Sequence, residues 1–144
     1  MNEELISLET AKLAKEKGFD VPVFNFIKNC GEGTGVMTGL ECEMEESCEF
    51  YEILEDHNKF KDQEIWSQPT QSLLQKQLRE EHDLVVSILV DFQFQPLPIK
   101  RIGFSFKITN EDLTIQIYPI VRFNTYEEAL EQGLQEALKL LEVY

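Results

Sequence analysis

Positive charge is what this sequence most lacks. Its 144 residues hold 13 Lys and Arg against 27 Asp and Glu, a formal net charge of −14. Binding to nucleic acid or to an anionic membrane draws on clustered cations that displace counterions from phosphates, so neither partner is expected. Nor is there an apolar run approaching the roughly 18–20 residues that a membrane-spanning helix needs. Met1-Asn2-Glu3-Glu4-Leu5-Ile6 has neither the basic n-region nor the apolar h-region of a secretory signal, so a cytoplasmic location is the expectation. Cysteine is scarce as well, with only Cys30, Cys42 and Cys48. An odd count argues against a closed disulfide framework. Without a CxxC pair, a zinc knuckle built from these three and His57 is disfavoured against free thiols. No metal and no cofactor is expected.

Catalytic signatures are missing too. Cys30-Gly31-Glu32-Gly33-Thr34-Gly35 is dense in glycine, but Val36-Met37-Thr38 follows where a phosphate loop needs Lys and then Ser or Thr. A hairpin turn is the better reading. His82-Asp83 lacks a Gly-x-Ser-x-Gly elbow elsewhere in the chain to complete a nucleophile triad. A cationic imidazole at a helix C-terminus accounts for His82. Paired carboxylates for hydrolytic chemistry cannot be singled out among 27 acids.

What is present is the composition of a folded protein, 42% hydrophobic and 10% aromatic, and the length of a single domain over 1–144. Ser7 to Lys17 reads as a helix with Ser7 as cap, Glu9 in the first turn and lysines towards the end. Gly18 ends it, with Phe19 folding back on Leu13 or Ala14. Val21 to Ile27 follows as a strand that begins at Pro22 or lies at a sheet edge, where it could pair between chains. Val36 to Glu43 returns as its hairpin partner. Residues 44–60 fit either a helix or a strand, with Cys48 to Leu54 leaning towards strand, and His57 to Glu64 reads as a polar loop. Ile65-Trp66-Ser67-Gln68-Pro69 is expected to open a second helix, striped by Leu73, Leu74 and Leu78 and ending near His82-Asp83.

Three alternating runs come next. Leu84, Val86, Ile88, Val90, Phe92 and Phe94 share one face. Ile102, Phe104, Phe106 and Ile108 share another, opposite Arg101, Gly103, Ser105 and Lys107. Leu113, Ile115 and Ile117 oppose Thr114, Gln116 and Tyr118. One apolar and one polar face mark antiparallel strands. Thr125 to Leu141 closes the chain as an amphipathic helix, its capping box formed by Thr125 and Glu128. Ala129, Gly133 and Ala137 make a strip of small residues inside its apolar stripe, suited to close packing on a sheet. The expected class is α+β, an antiparallel sheet with helices packed on one face, in the order α-β-β-(β)-α-β-β-β-α. Residues 1–64 supply the helix and hairpin region and 65–144 the α-β-β-β-α half.

Three stretches carry a resemblance. Ser7 to Phe19, Ser67 to Glu80 (SQPTQSLLQKQLRE) and Tyr126 to Leu140 (YEEALEQGLQEALKL) resemble an uncharacterised family of small phage and prophage proteins over about a third of the chain. The resemblance implies a phage or mobile-element origin and no particular activity. By topology alone, the later half is similar to double-stranded-RNA-binding domains. Those contact phosphates with lysines at the start of the last helix; here that place holds Tyr126, Glu127 and Glu128, so RNA binding does not carry over.

The expected function is therefore that of a non-enzymatic interaction or accessory protein whose partner is another protein. The candidate surface is acidic: Glu41, Glu43, Glu45, Glu46, Glu49, Glu52, Glu55 and Asp56. A solvated face that aids solubility is the plainer account of the same charge. Arg101, Ser105, Lys107, Gln116 and Tyr118 form a second candidate surface on the polar side of the sheet. One alternative is an inhibitor that mimics nucleic acid and fills a host protein's phosphate-binding groove with carboxylates. An uncharacterised enzyme is another, and it would need polar side chains converging in a cleft.

Overall fold

The structure, a computed structural model, describes residues 4–23, 25–29, 36–38, 57–59 and 65–141. The chain divides into two compact units, one within residues 5–70 and one formed by residues 71–141 with Glu4. Both combine helices with antiparallel strands, giving the α+β class.

In the first unit α1 spans Leu8–Glu16, and Ser7 Oγ accepts from the Thr10 N–H at 3.3 Å as its N-cap. Its end follows from one residue. Gly18 adopts φ +89°, the left-handed region that a side chain disfavours. That conformation lets Gly18 N–H reach Lys15 O (3.1 Å) and Phe19 N–H reach Ala14 O (2.9 Å), satisfying carbonyls the helix leaves open. Phe19 is thereby turned into the core at 2% exposure.

Three strands follow, β1 (Phe26–Asn29), β2 (Val36–Thr38) and β3 (Ile65–Ser67), in the order β2-β1-β3. The β1–β2 hairpin pairs Ile27 with Thr38 and Asn29 with Val36. Two expectations change here. Ile65-Trp66-Ser67 does not open a helix: it is a strand pairing with Phe26, Ile27 and Lys28 of β1. The β-branched and aromatic pair Ile65-Trp66 suits a pleated surface, and Lys12 lies 5.1 Å from the Trp66 ring. As a result β1 is the centre of its sheet rather than an exposed edge, and the expected pairing between chains at Val21 to Ile27 has no free edge there. His57–Lys59 forms one turn of 3-10 helix. Asn58 within it is fully buried; its Nδ2 donates to Phe19 O (2.8 Å), and its Oδ1 accepts from Ser67 N–H (2.9 Å).

The second unit contains α2 (Gln71–His82), β4 (Val85–Gln93), β5 (Lys100–Thr109), β6 (Gln116–Ile117) and α3 (Tyr126–Lys139), with sheet order β4-β5-β6. Leu74 and Leu78 of α2 and Leu134 of α3 are wholly buried, while Val86, Phe106 and Ile108 form the sheet's share of the core. Gln71 is 4% exposed, its Nε2 donating to Glu127 O (3.0 Å) and Glu131 Oε1 (3.1 Å) on α3. α2 ends at Asp83, which sits at φ +52° and accepts from Glu111 N–H through its carboxylate. Thr125 Oγ1 caps α3 by accepting from Glu128 N–H (3.1 Å). Thr125→Ala should cost about 1 kcal/mol, read as a shift of the denaturation midpoint; no shift would mean that the cap contributes nothing.

The third strand is shorter than its alternation suggested. Asn110, Asp112 and Thr114 bond among themselves, Asn110 Oδ1 takes the Ile115 N–H, and Leu113 stands at φ +59°. This side-chain network holds 110–115 as a turn in place of a ladder, leaving β6 two residues. The bond from Thr114 to the exposed Asp112 carboxylate holds its pKa below the ordinary value.

Candidate functional site

The feature that stands apart is the far end of the β4–β5 hairpin. Alternation predicts one buried face for Val86, Ile88, Val90, Phe92 and Phe94. α3 covers only its beginning. Burial falls away along the strand: Val86 is 1% exposed, Val90 43%, Phe92 48% and Phe94 63%. On β5, Phe106 and Ile108 are buried, whereas Ile102 is 38% exposed, and Leu97 and Ile99 between the strands are exposed as well. Exposed apolar residues scattered singly need no explanation, whereas a contiguous set of this kind makes this end of the hairpin the candidate site.

The hairpin departs from simple alternation at one point. Asp91 lies opposite Gly103, yet Phe92 lies opposite Arg101, so Ile102 is the extra residue of a β-bulge. The bulge moves Arg101 from its expected place on the polar face to the apolar one, where its guanidinium lies 5.1 Å from the Phe104 ring. Of the expected polar-face surface, Ser105, Lys107, Gln116 and Tyr118 remain partly or fully exposed, and Arg101 leaves it.

The other edge of β5 is interrupted as well. Ile108 pairs with Ile117, and Phe104 bonds to Phe123 in both directions (2.9 and 2.7 Å). Straight antiparallel register would put residue 121 opposite Phe104, four residues on from Ile117, so two residues more than needed are accommodated between them. Pro119 to Val121 loop outward, and Ile120 is fully exposed. On one side of this excursion lies a cleft of about 440 Å³ lined by Asp91, Ser105 and Arg122 among others. On the other is one of about 280 Å³, lined by Phe106, Ile117, Val121, Phe123, Gln132 and Glu136.

Neither cleft assembles catalytic machinery from its described lining. The described lining around Ser105 holds no histidine or lysine to act as a base, and Asp91 is turned to Arg122 at 3.6 Å. That pair is 30% and 58% exposed, the kind of surface ion pair that contributes little. Among the described residues no group of His, Cys, Asp or Glu is placed to hold a metal ion, and no helix is long and apolar enough to cross a membrane. The acidic candidates Glu41, Glu43, Glu45, Glu46, Glu49, Glu52, Glu55 and Asp56 lie outside the described residues, as do Cys30, Cys42, Cys48 and the glycines of 31–35. His82 is exposed in the last turn of α2, away from any described cleft lining.

The hairpin surface went unrecognised in the sequence because alternation marks which side chains share a face, not how far a helix reaches over it. One signal was available: α3 has 14 residues and rises ~1.5 Å per residue, about 21 Å. The apolar set from Leu84 to Phe94 runs at ~3.3 Å per residue to a longer span of about 33 Å. A scan against protein-family models and searches against curated proteins and solved structures find no match.

Proposed function

We propose that this chain is a non-enzymatic protein-interaction module that binds through the far end of the β4–β5 hairpin. One observation carries the reading: an apolar face begun in the core at Val86 continues uncovered through Val90, Phe92, Phe94 and Ile102. Full burial of a large side chain is worth roughly 1.5–3 kcal/mol, and these, about half exposed, forgo part of it, a cost that a bound protein surface would offset. The phage or mobile-element origin rests on the sequence resemblance of Ser7 to Phe19, Ser67 to Glu80 and Tyr126 to Leu140.

Phe92→Ser combined with Phe94→Ser tests the reading, because both rings stand largely in solvent and the core does not depend on them. The tagged full-length chain would be incubated with host lysate and with a second copy carrying a different tag. Expected is at least a tenfold loss of some captured protein, foreign or self, in the double variant, with no loss in Glu127→Gln/Glu128→Gln. Equal yields of every captured protein in wild type and double variant would overturn it.

A further inference from the structure

We propose that the partner of this surface is a second copy of the chain, joined by antiparallel pairing of the two β4 strands across a two-fold axis at Val90. The inference rests on the hairpin reading above and gives it an occupant.

The direction of the backbone groups carries it first. Phe104 directs both its N–H and its C=O to Phe123, away from β4. Phe104 and its β4 partner Val90 are therefore a non-hydrogen-bonded pair. By alternation Val86, Ile88 and Val90 point their backbone groups away from β5, to the outer side of the sheet. Val86 confirms this, since its carbonyl accepts from Gln75 Nε2 at 2.6 Å on that side. Past Gln75 the edge is open: β4 is terminal in the order β4-β5-β6, and no strand pairs with its outer side among the described residues.

Beyond Gln75, the edge strand carries few of the usual protections among the described residues. Sheet edges are kept from pairing by lysines, prolines, short length or a bulge on the edge strand. β4 is 9 residues long, contains no proline and no lysine, and has Asp91 as its one charge; the bulge is on β5.

Register then follows from sterics and charge. Gln75 occupies Val86, so pairing starts at Ile88. A two-fold at Val90 sets Ile88 opposite the partner's Phe92, Val90 opposite the partner's Val90, and Phe92 opposite the partner's Ile88. All three pairs place apolar side chains on the exposed face that continues the core. On the other face Leu89, 37% exposed, meets the partner's Asp91. Moving the two-fold one residue further, to Asp91, would oppose the two Asp91 carboxylates directly, which is unfavourable. Around them, Lys100, Arg101 and Lys107 outnumber Asp91 over 84–109, so the contact avoids the acidic balance of the chain as a whole.

The available area is adequate. The exposed parts of Val90, Phe92, Phe94, Leu97, Ile99 and Ile102 come to roughly 600 Å² per copy, so burying all of it on two copies would reach about 1,200 Å², the lower bound of specific interfaces. The same surface on both chains makes the contact isologous, so it closes at two copies and does not propagate.

Sedimentation equilibrium of the full chain across a range of concentrations tests the proposal. Wild type should sediment at twice the chain mass, and Val90→Lys, at a position already 43% exposed, should raise the dissociation constant more than tenfold. Amide exchange on wild type gives a measurement independent of any variant: the Ile88 and Val90 N–H groups should slow as concentration rises. A chain-mass species at every concentration, or a dimer whose Ile88 and Val90 amides exchange as in the monomer, overturns self-pairing. If the chain stays monomeric while Phe92→Ser/Phe94→Ser abolishes capture of a foreign protein, self-pairing alone has failed. If no capture depends on the hairpin, both readings have.

Discussion

Replacing Gly133 with leucine should destabilise the protein by about 3 kcal/mol, the upper part of the range for overpacking a dense core. A Cβ built at Gly133 falls 2.8 Å from Val86 Cγ1, 3.1 Å from Phe106 Cγ and 3.2 Å from Phe106 Cβ. Neither neighbour can yield easily. Val86 and Phe106 are 1% and 3% exposed and belong to paired strands, and their Cβ and Cγ atoms move only with the backbone or a rotamer change. Leucine adds three further carbons to a space that does not admit the first. Gly133→Ala separates the two contributions. It gains about 1 kcal/mol of helix propensity but still places a methyl group against Val86, so it should come out neutral to mildly destabilising. Urea denaturation of both variants is the measurement. A leucine variant with an unchanged midpoint would mean that α3 can lift off the sheet at little cost.

Asn58→Leu should cost a similar amount, about 3 kcal/mol, for the opposite reason: a missing partner rather than an excess of atoms. The side chain is nearly isosteric and the site wholly buried, so packing changes little. What goes is the donor to Phe19 O and the acceptor for Ser67 N–H. Each backbone group is then left in the interior without a partner, at ~1–3 kcal/mol apiece. Asn58→Asp should be worse than its single lost donor suggests. It keeps the bond from Ser67 N–H but sets a buried carboxylate against the Phe19 carbonyl oxygen. Chemical denaturation gives the totals, and exchange of the Ser67 amide reports the local effect. An Asn58→Leu variant as stable as wild type, with Ser67 still protected, would show that these groups find other partners.

The two positions differ in how visible they were. Gly133 stood out because it interrupts a stripe of Tyr126, Ala129, Leu130, Leu134 and Leu138 with the smallest residue, and a close approach is the plain reason for that pattern. Asn58 lay in a polar run that reads as a solvated loop. Its burial depends on Phe19, 39 residues earlier, and Ser67, nine residues later. Local composition carries no trace of such bonds. The same division runs through the strands. Ile65-Trp66-Ser67, with Pro69 two residues on, has the start signal of a helix, and pairing with β1 overrode it. Leu113 fits an alternating strand, but Asn110, Asp112 and Thr114 offered its backbone a turn instead.

The sequence by itself determined the helices. Periodicity, the Ser7 and Thr125 caps and Gly18 are properties of residues within a turn or two of each other; α1 and α3 lie close to where those signals placed them, and α2 keeps its leucine stripe and its end near His82 although it starts only at Gln71. It determined the antiparallel β4–β5 pair as well, because alternation over ten residues admits little else. Tertiary structure alone decided which strand became an edge, where the bulge at Ile102 turned Arg101 across the sheet, and how much of the apolar face α3 covers. These outcomes turn on contacts between segments far apart in the chain and on the relative lengths of a helix and the strands beneath it. The surface at Val90, Phe92 and Phe94 is such an outcome: its side chains are those of a core, and only the reach of α3 leaves them in solvent.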